Sequence, residues 1–335
     1  MSAQTLPFAA RAGLRARYVR TRHPRDLLDR NVLAVFGFGH GAPDHLNDPR
    51  YYRVNLQPLD DRDCFEVWQV DDEVECWEDG ALAGARTATL SFGHATQLES
   101  GQPGAIRCAA EQLYAALSNH LRHAAHAHLL RIWNYFDAIN EGTGDEERYR
   151  QFCVGRGLGL QLTDADLPAA TAIGQSRHPR TLQVYWLSAR QPGRPIENPR
   201  QVPAYHYPRC YGPKSPSFAR AMAGPPSLAL PLMLSGTASV VGHHSRHDDD
   251  LAEQIAETFR NFDALRARAQ QDGLGHDHPF DGDSLLKVYV RREDDLAAVR
   301  TMLATYLHPD VPRLFLRADI CRSELLIEID GFHRL

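Results

Sequence analysis

The sequence predicts an α/β (α+β) protein in which one unit of strands and helices occurs twice. The chain has 335 residues, which is long for a single core and favours two domains of about 150 residues each. The order strand, long helix, strand, short helix, strand appears twice, about 140 residues apart, as in an internal duplication. Two segments near the carboxyl end alternate apolar and polar residues, as half-buried strands do.

The first copy is expected to follow a strand-rich, irregular region of about 85 residues. Gly37, Gly39 and Gly41 in that region suggest a nucleotide-binding loop, but Pro43 follows and no helix pattern begins there, so the dinucleotide motif is incomplete. The copy itself is predicted as a strand at 88–92, a helix at 106–125, a strand at 129–136, a helix at 146–154 and a strand at 181–187. The long helix has an apolar stripe formed by Ile106, Leu113, Leu117 and Leu121.

The second copy is predicted from residue 228 onwards, with strand material around Ser235–Thr237. Its long helix begins at Asp248–Asp250, because carboxylates at a helix amino terminus complement the helix dipole. A strand at 285–290, a helix at 294–307 and two terminal strands complete this copy. We therefore expect domains at 1–190 and 227–335, joined by a linker at 191–226 that is rich in proline, glycine and aromatic residues.

The two terminal strands place unlike residues on opposite faces. In the second strand Ile327 and Ile329 share one face, and Glu324, Glu328 and Asp330 lie on the other. Two interpretations remain open on this pattern alone: a half-buried hairpin with a solvated face, or an anion site that contains a carboxylic acid.

Composition excludes several classes of protein. A formal net charge of −5 gives no broad basic field for nonspecific nucleic-acid binding. No apolar run approaches the roughly 18 residues that a membrane-spanning helix needs. The amino terminus lacks the charged-then-apolar layout of a signal peptide, and six cysteines occur without a Cys-x-x-Cys pair. We expect a cytoplasmic protein with reduced thiols.

A metal site is not expected. His243 and His247 have helical i, i+4 spacing, but Asp248 is better explained as the start of a helix.

The second copy resembles the RidA (YjgF) family of small α/β proteins. The matching features are Ser235–Thr237 on the first strand, the long helix, the strand at 286–290, Pro312–Arg313, and Glu328–Asp330. This resemblance implies mixed sheets with helices packed on one face, and a ligand cleft of the kind that lies between subunits in RidA trimers. It also implies that Arg313 binds a substrate carboxylate and that Glu328 is the active-site acid.

Longer strings resemble the chorismatases, a bacterial family that acts on chorismate. They lie at 133–142, 147–156 and 207–220, and the similarity extends from about residue 30 to the end. This resemblance implies a cofactor-independent enzyme with its site in a cleft between two RidA-like halves. It favours Tyr149, Arg156, Tyr207 and Arg220 as substrate contacts.

Residue chemistry agrees with a dianionic substrate such as chorismate. The planar fork of arginine suits carboxylates, so Arg209 and Arg313 are further candidates, together with the phenol of Tyr211. Structural alternatives remain, because Tyr149 and Arg156 could share a solvated helix face and the linker tyrosines could be packing residues. Cleavage of an enol ether needs an acid with a raised pKa, and Glu328, between two isoleucines, is the best candidate. Glu324 and Asp330 are the nearest rivals.

The sequence does not decide which product the enzyme makes. In the family that the chain resembles, a cysteine at the position of Cys321 marks enzymes that make 3-hydroxybenzoate. Ala238 would instead favour hydrolysis to 3,4-dihydroxycyclohexa-1,5-dienoate, if it is the second position that discriminates between the products. A subgroup that makes both 3- and 4-hydroxybenzoate is the most similar. A RidA-like protein that binds an acid without turnover is the alternative from another class. The duplication allows a monomer, because the cleft needs no second chain, and leaves a homo-oligomer open.

Overall fold

The structure, a computed structural model, describes residues 13–60, 62–175, 180–274 and 278–333. Its strands form three main sheets of four, six and seven strands, and a short two-stranded ribbon. Long helices pack on one face of each of the two larger sheets. The predicted α+β class, with mixed sheets and helices on one face, is confirmed. Across the described ranges, no helix is long and apolar enough to cross a membrane.

The amino-terminal region forms the four-stranded sheet. The strands of the amino-terminal region are β1 (Leu14–Val19), β2 (Val32–Phe38), β3 (Tyr51–Arg53), β4 (Gln57–Pro58) and β5 (Cys64–Val70). The sheet has the order β1-β5-β2-β3, and β4 joins the seven-stranded sheet instead. In the glycine-rich loop after β2, the backbone N–H of Gly41 donates to the carboxylate of Asp63 at 2.9 Å. The protein's own carboxylate therefore occupies the place where a nucleotide loop would present its amides to a phosphate.

The first unit forms the six-stranded sheet and carries two helices. Its elements are β6 (Glu75–Asp79), β7 (Leu82–Arg86), β8 (Leu90–Leu98), α1 (Ala105–His123), β9 (His128–Asp137), α2 (Arg148–Gly159), β10 (Ala169–Gln175) and β11 (Thr181–Ala189). The order is β10-β9-β11-β8-β7-β6, with β9 and β10 parallel. The sequence prediction missed β10, whose residues are mostly small and do not alternate. It also ended α2 too early, because glycine is unfavourable inside a helix. In the structure Gly155 and Gly159 lie within α2 and allow it to approach α1 closely.

The second unit repeats this arrangement. Its elements are β12 (Arg194–Ile196), β13 (Ala221–Ala223), β14 (Leu232–Thr237), β15 (Val240–Val241), β16 (His244–Ser245), α3 (Leu251–Gln271), β17 (Leu285–Val290), α4 (Leu296–Leu303), β18 (Arg313–Arg317) and β19 (Ile327–His333). The seven-stranded order is β12-β13-β14-β19-β17-β18-β4, which matches the first unit strand for strand before β4 is added. The parallel pair β17 and β18 corresponds to β9 and β10. The duplication predicted from the sequence is thus visible as the same sheet order in both units.

Two local predictions differ from the structure. The terminal strands β18 and β19 do not form a hairpin, because β17 lies between them and pairs with both. The segment at 191–226 is not wholly a linker, since its two ends are β12 and β13 of the second sheet. The part between those two strands contains short 3-10 turns at Ala204–His206 and Arg209–Tyr211.

The inner faces of all three sheets share one hydrophobic core. Trp68, Trp133 and Tyr289 come from the first, second and third sheet respectively, and all three are completely buried. On β19, Ile327 and Ile329 pack beneath α3 and α4 on the outer face. Alternation along the strand therefore turns Glu328 and Asp330 inward, towards the first unit.

Candidate active site

A pocket lies between the two units and is lined by both of them and by the segment at 201–220. Seven residues predicted from the sequence meet there: Tyr149, Arg156, Tyr207, Tyr211, Arg220, Cys321 and Glu328. The first two come from α2, the next three from the segment between β12 and β14, and the last two from the carboxyl-terminal end of the chain. Residues far apart in sequence thus converge because the inner faces of the two sheets oppose each other.

Glu328 is the buried acid of this pocket. The residue is 5% exposed, and it lines the pocket. Gly236 on β14 makes room for it, because a Cβ at that position would overlap the carboxyl group. Burial, and then the negative charge of Asp330, raise the pKa of Glu328 to about 8. This acid therefore holds a proton near neutral pH and can release it to a bound substrate.

Arg156 presents free hydrogen-bond donors to the pocket. The residue is 4% exposed, and its Nε and Nη2 atoms have no partner among the residues that the structure describes. Its guanidinium lies 5.3 Å from the ring centroid of Tyr114 on α1. A buried cation with unused N–H groups is costly unless a ligand supplies the acceptors. Arg156 is therefore suited to binding an anion.

Arg220 is held by contacts within the segment at 201–220, which lines the pocket. Its Nη2 donates to the phenol oxygen of Tyr207 at 2.7 Å and to the carbonyl oxygen of Val202 at 3.1 Å. Its Nε is buried and finds no acceptor in the described ranges. A second cation, Arg322, stacks on Tyr211 at 4.2 Å and on Tyr207 at 5.3 Å, measured to the ring centroids. These contacts join the segment at 201–220 to the carboxyl-terminal part of the second unit.

Two thiols line the same pocket. Burial raises the pKa of Cys321 well above its usual range, and the nearby charge of Glu328 adds to this effect. Burial also raises the pKa of Cys153 on α2 to about 12. Both groups are therefore neutral thiols at physiological pH, rather than nucleophilic thiolates.

Two arginines predicted to bind substrate lie away from the pocket. Arg209 is exposed, and both of its terminal nitrogens donate to the carboxylate of Asp145 at 2.8 and 2.5 Å. Arg313 begins β18, two strands across the sheet from Glu328, because β17 separates β18 from β19. A hairpin would have placed Arg313 closer to the acid. The structure does not bring either arginine to the other predicted contacts.

The rival acids are also placed differently from Glu328. Glu324 accepts a hydrogen bond from Ser245 at 2.6 Å, and Asp330 is completely buried beneath the pocket. Sequence reasoning missed Arg322 and Thr171, which line the pocket. Arg322 sits in the break between the terminal strands and Thr171 on the unpredicted β10, so neither carried a pattern signal.

The fold and the site together define an enzyme-type pocket for a small organic anion. It combines a buried acid that is protonated near neutral pH with buried arginines whose donors are unused.

Residues 66–188 match the family model described as chorismatase FkbO/Hyg5-like, N-terminal. A chorismatase of Streptomyces hygroscopicus is 34% identical over 325 residues, which cover 94% of this chain and 93% of that protein. A 3-hydroxybenzoate synthase of the same organism is 33% identical over 90% of this chain and 91% of its own length. The crystal structure of a chorismatase superposes with a TM-score of 0.86 at 34% identity, covering 97% of this chain and 99% of that one. The chain belongs to the chorismatase family.

The raised pKa of Glu328 predicts a specific pH dependence of stability. Between the ordinary value of 4.5 and about 8, the folded protein keeps a proton that the unfolded chain has lost, so stability falls as pH rises through this window. Glu328→Gln lacks this loss and should be more stable than the unmodified protein at pH 8, by about 4 kcal/mol, with a smaller gain at pH 5. Urea unfolding at both pH values measures the difference.

Glu324→Gln is the matched control for this measurement, because Glu324 lies outside the pocket lining. It should keep the pH dependence of the unmodified protein. An unchanged pH dependence in Glu328→Gln would show that Glu328 is ionised in the folded protein at neutral pH.

Proposed function

We propose that this protein cleaves chorismate into a hydroxybenzoate and pyruvate, with Glu328 as the proton carrier. The observation that carries the proposal is the pair of buried arginines, Arg156 and Arg220, whose unused N–H groups face one pocket with a protonated acid. Relatives that span nearly the whole chain are named chorismatase and 3-hydroxybenzoate synthase, which supports the same substrate.

Chorismate has the features that this pocket can recognise. It is a small dianion with one carboxylate on the ring and another on the enolpyruvyl ether. Arg156 and Arg220 can each take one carboxylate, because a guanidinium binds carboxylate oxygens with charge-assisted hydrogen bonds. Tyr149, Tyr207 and Tyr211 add phenol groups and apolar ring surface to the lining. The aromatic walls exclude water and strengthen the electrostatic interactions inside.

Glu328 performs both proton transfers in the proposed reaction. In its protonated form it delivers a proton to the methylene carbon of the enolpyruvyl ether, which becomes the methyl group of pyruvate. The resulting carboxylate then accepts the ring proton that is lost as the ring becomes aromatic, which restores the acid. A hydroxybenzoate and pyruvate together contain all the atoms of chorismate, so the conversion needs no net oxidant or reductant.

We assign 3-hydroxybenzoate as the main product and expect 4-hydroxybenzoate beside it. For the 3-isomer the bridging oxygen stays on the ring: the neighbouring hydroxyl oxygen adds to the enolpyruvyl carbon after protonation of the methylene, the bond from that carbon to the bridging oxygen breaks, and the hydroxyl oxygen leaves the ring as the keto oxygen of pyruvate. For the 4-isomer the hydroxyl stays on the ring, the bridging oxygen leaves with pyruvate, and the ring hydrogen beside the hydroxyl is lost. Cys321 supports the 3-isomer, because it lines the pocket with Glu328 as a neutral thiol and the resemblance associates a cysteine there with this product.

Hydrolysis is the second candidate. Ala238 lines the pocket, and it would favour hydrolysis if it is the second position that discriminates between products in the family. The products would be 3,4-dihydroxycyclohexa-1,5-dienoate and pyruvate. The third candidate is a protein that binds chorismate without turning it over.

Replacing the acid should abolish most of the activity. Glu328→Gln keeps the shape of the side chain but cannot exchange the proton, so kcat should fall by about 10²-fold or more. Pyruvate release from chorismate measures this rate. Glu324→Gln serves as the control and should stay within a few-fold of the unmodified protein. A Glu328→Gln variant with near-normal turnover would exclude Glu328 as the proton carrier.

The two classes of arginine should respond differently to substitution. Arg156→Met removes a buried carboxylate partner, and we expect kcat/KM to fall by about 10- to 100-fold, the scale of a lost charge-assisted hydrogen bond. Arg209→Met is the matched control, because its guanidinium is exposed and paired with Asp145, and it should change kcat/KM by less than about three-fold. Equal losses in both variants would contradict the proposed binding mode.

Product analysis tests the role of Cys321. The unmodified protein incubated with chorismate should yield hydroxybenzoates and pyruvate, and Cys321→Ala should shift the products towards the non-aromatic diol acid. Chromatographic separation of the reaction mixture measures the ratio. The same product ratio in both proteins would remove Cys321 from the account, and a diol acid from the unmodified protein would favour the hydrolase.

A further inference from the structure

Two acids lie side by side on the inner face of β19. Glu328 and Asp330 are two residues apart, so their side chains leave the strand on the same side. Glu328 reaches the pocket, whereas Asp330 is completely buried beneath it. The proposed reaction uses only the first acid.

Three hydrogen-bond donors meet at one oxygen atom of Asp330. Its Oδ2 atom accepts from Trp133 at 3.0 Å, from Thr171 at 2.8 Å and from Tyr289 at 2.9 Å. Lys287 lies 3.7 Å from Oδ1. Asp330 is therefore the centre of a buried hydrogen-bond network that joins the two units.

Arg131 is the nearest opposite charge on the first unit. It is completely buried, and its Nη2 lies 3.2 Å from Asp330 and 2.5 Å from the hydroxyl oxygen of Thr171. Its guanidinium stacks 4.2 Å from the ring centroid of Trp133. Thr171 also lines the pocket, so this one residue touches Arg131, Asp330 and the space in front of Glu328.

We propose that Asp330 and Arg131 are opposing positioning residues for Glu328: the buried negative charge of Asp330 holds the proton on Glu328, and the buried positive charge of Arg131 keeps that proton available for transfer. The inference rests on the proposed role of Glu328 as the proton carrier. It assigns a function to a charged cluster that the reaction itself does not touch.

The charges around Glu328 agree in sign with this assignment. Asp330 raises the pKa of Glu328 after the larger effect of burial, and Arg131 lowers it more than the two other arginines that act on it. The titratable and charged groups that act on Glu328 or share its pocket come from both units: Arg131, Glu147, Tyr149, Arg150, Cys153, Arg156, Tyr207, Tyr211, Arg220, Arg291, Cys321, Arg322 and Asp330. Among the groups that shift its pKa, Asp330 and Arg131 have the largest effects of each sign.

The test is a pair of substitutions with opposite expected shifts. Activity should fall on the alkaline side of the pH profile of kcat/KM as Glu328 loses its proton. Asp330→Asn removes the negative charge and should move this alkaline limb to lower pH by about one unit or more. Arg131→Gln removes the positive charge and should move the limb to higher pH by a similar amount. A role in stability alone would lower activity in both variants without opposite shifts.

Two further variants separate charge from packing. Arg131→Lys restores the positive charge and should return the limb towards its position in the unmodified protein. Tyr289→Phe removes a hydrogen bond to Asp330 but no charge, and should shift the limb far less than Asp330→Asn. If Asp330→Asn does not fold, the comparison of Arg131→Gln with Arg131→Lys still decides the outcome.

A readout without turnover distinguishes failure of the inference from failure of the proposed function. Carboxyl ¹³C NMR of the unliganded protein follows the titration of Glu328, whose signal is identified by its absence in Glu328→Gln. Opposite shifts of this titration in Asp330→Asn and Arg131→Gln support the proposal even if chorismate proves not to be the substrate. Shifts in the same direction, or no shift in either variant, would overturn it.

Discussion

The buried charge cluster around Asp330 is the constraint on which the rest of the structure depends. It joins all three sheets: Glu66 comes from the first, Arg131 from the second, and Lys287 and Asp330 from the third. Lys287 bonds Glu66 at 2.9 Å, and Arg131 approaches Asp330 at 3.2 Å. Charges removed from water are costly unless they are paired and hydrogen-bonded. The sheets must therefore keep the arrangement in which these pairs are made, and that arrangement also places Glu328 opposite α2.

Internal duplication explains why a single chain can form such a cleft. Each unit covers one face of its sheet with helices and leaves the other face apolar, so the inner faces must pack against something. The second unit provides that surface, and the amino-terminal sheet closes the remaining side of the shared core. Functional side chains at the boundary then come from different copies of the same unit. Arg156 belongs to the first copy and Glu328 to the second, which allows the two to diverge in chemistry while the fold stays the same.

Local patterns in the sequence predicted the helices, most strands and the inward face of the terminal strand. Alternation alone separated Ile327 and Ile329 from Glu328 and Asp330, because strand periodicity determines the face whatever the partners are. Strand pairing could not be predicted in the same way. Nothing local indicates that β17 lies between β18 and β19, so the distance of Arg313 from the pocket emerged only from the sheet order. Strand β10 was missed because small residues give no alternation, and Thr171 was missed with it.

The central claim is that one pocket holds a chorismate dianion between Arg156 and Arg220, with its enol ether facing Glu328. The most direct test is a crystal structure of Glu328→Gln with chorismate bound, since this variant should bind the substrate but turn it over slowly. We predict one carboxylate within hydrogen-bond distance of Nε or Nη2 of Arg156, the other at Nε of Arg220, and the enolpyruvyl methylene carbon next to residue 328. Chorismate bound with both carboxylates away from these arginines, for example at Arg209 or Arg313, would contradict the account.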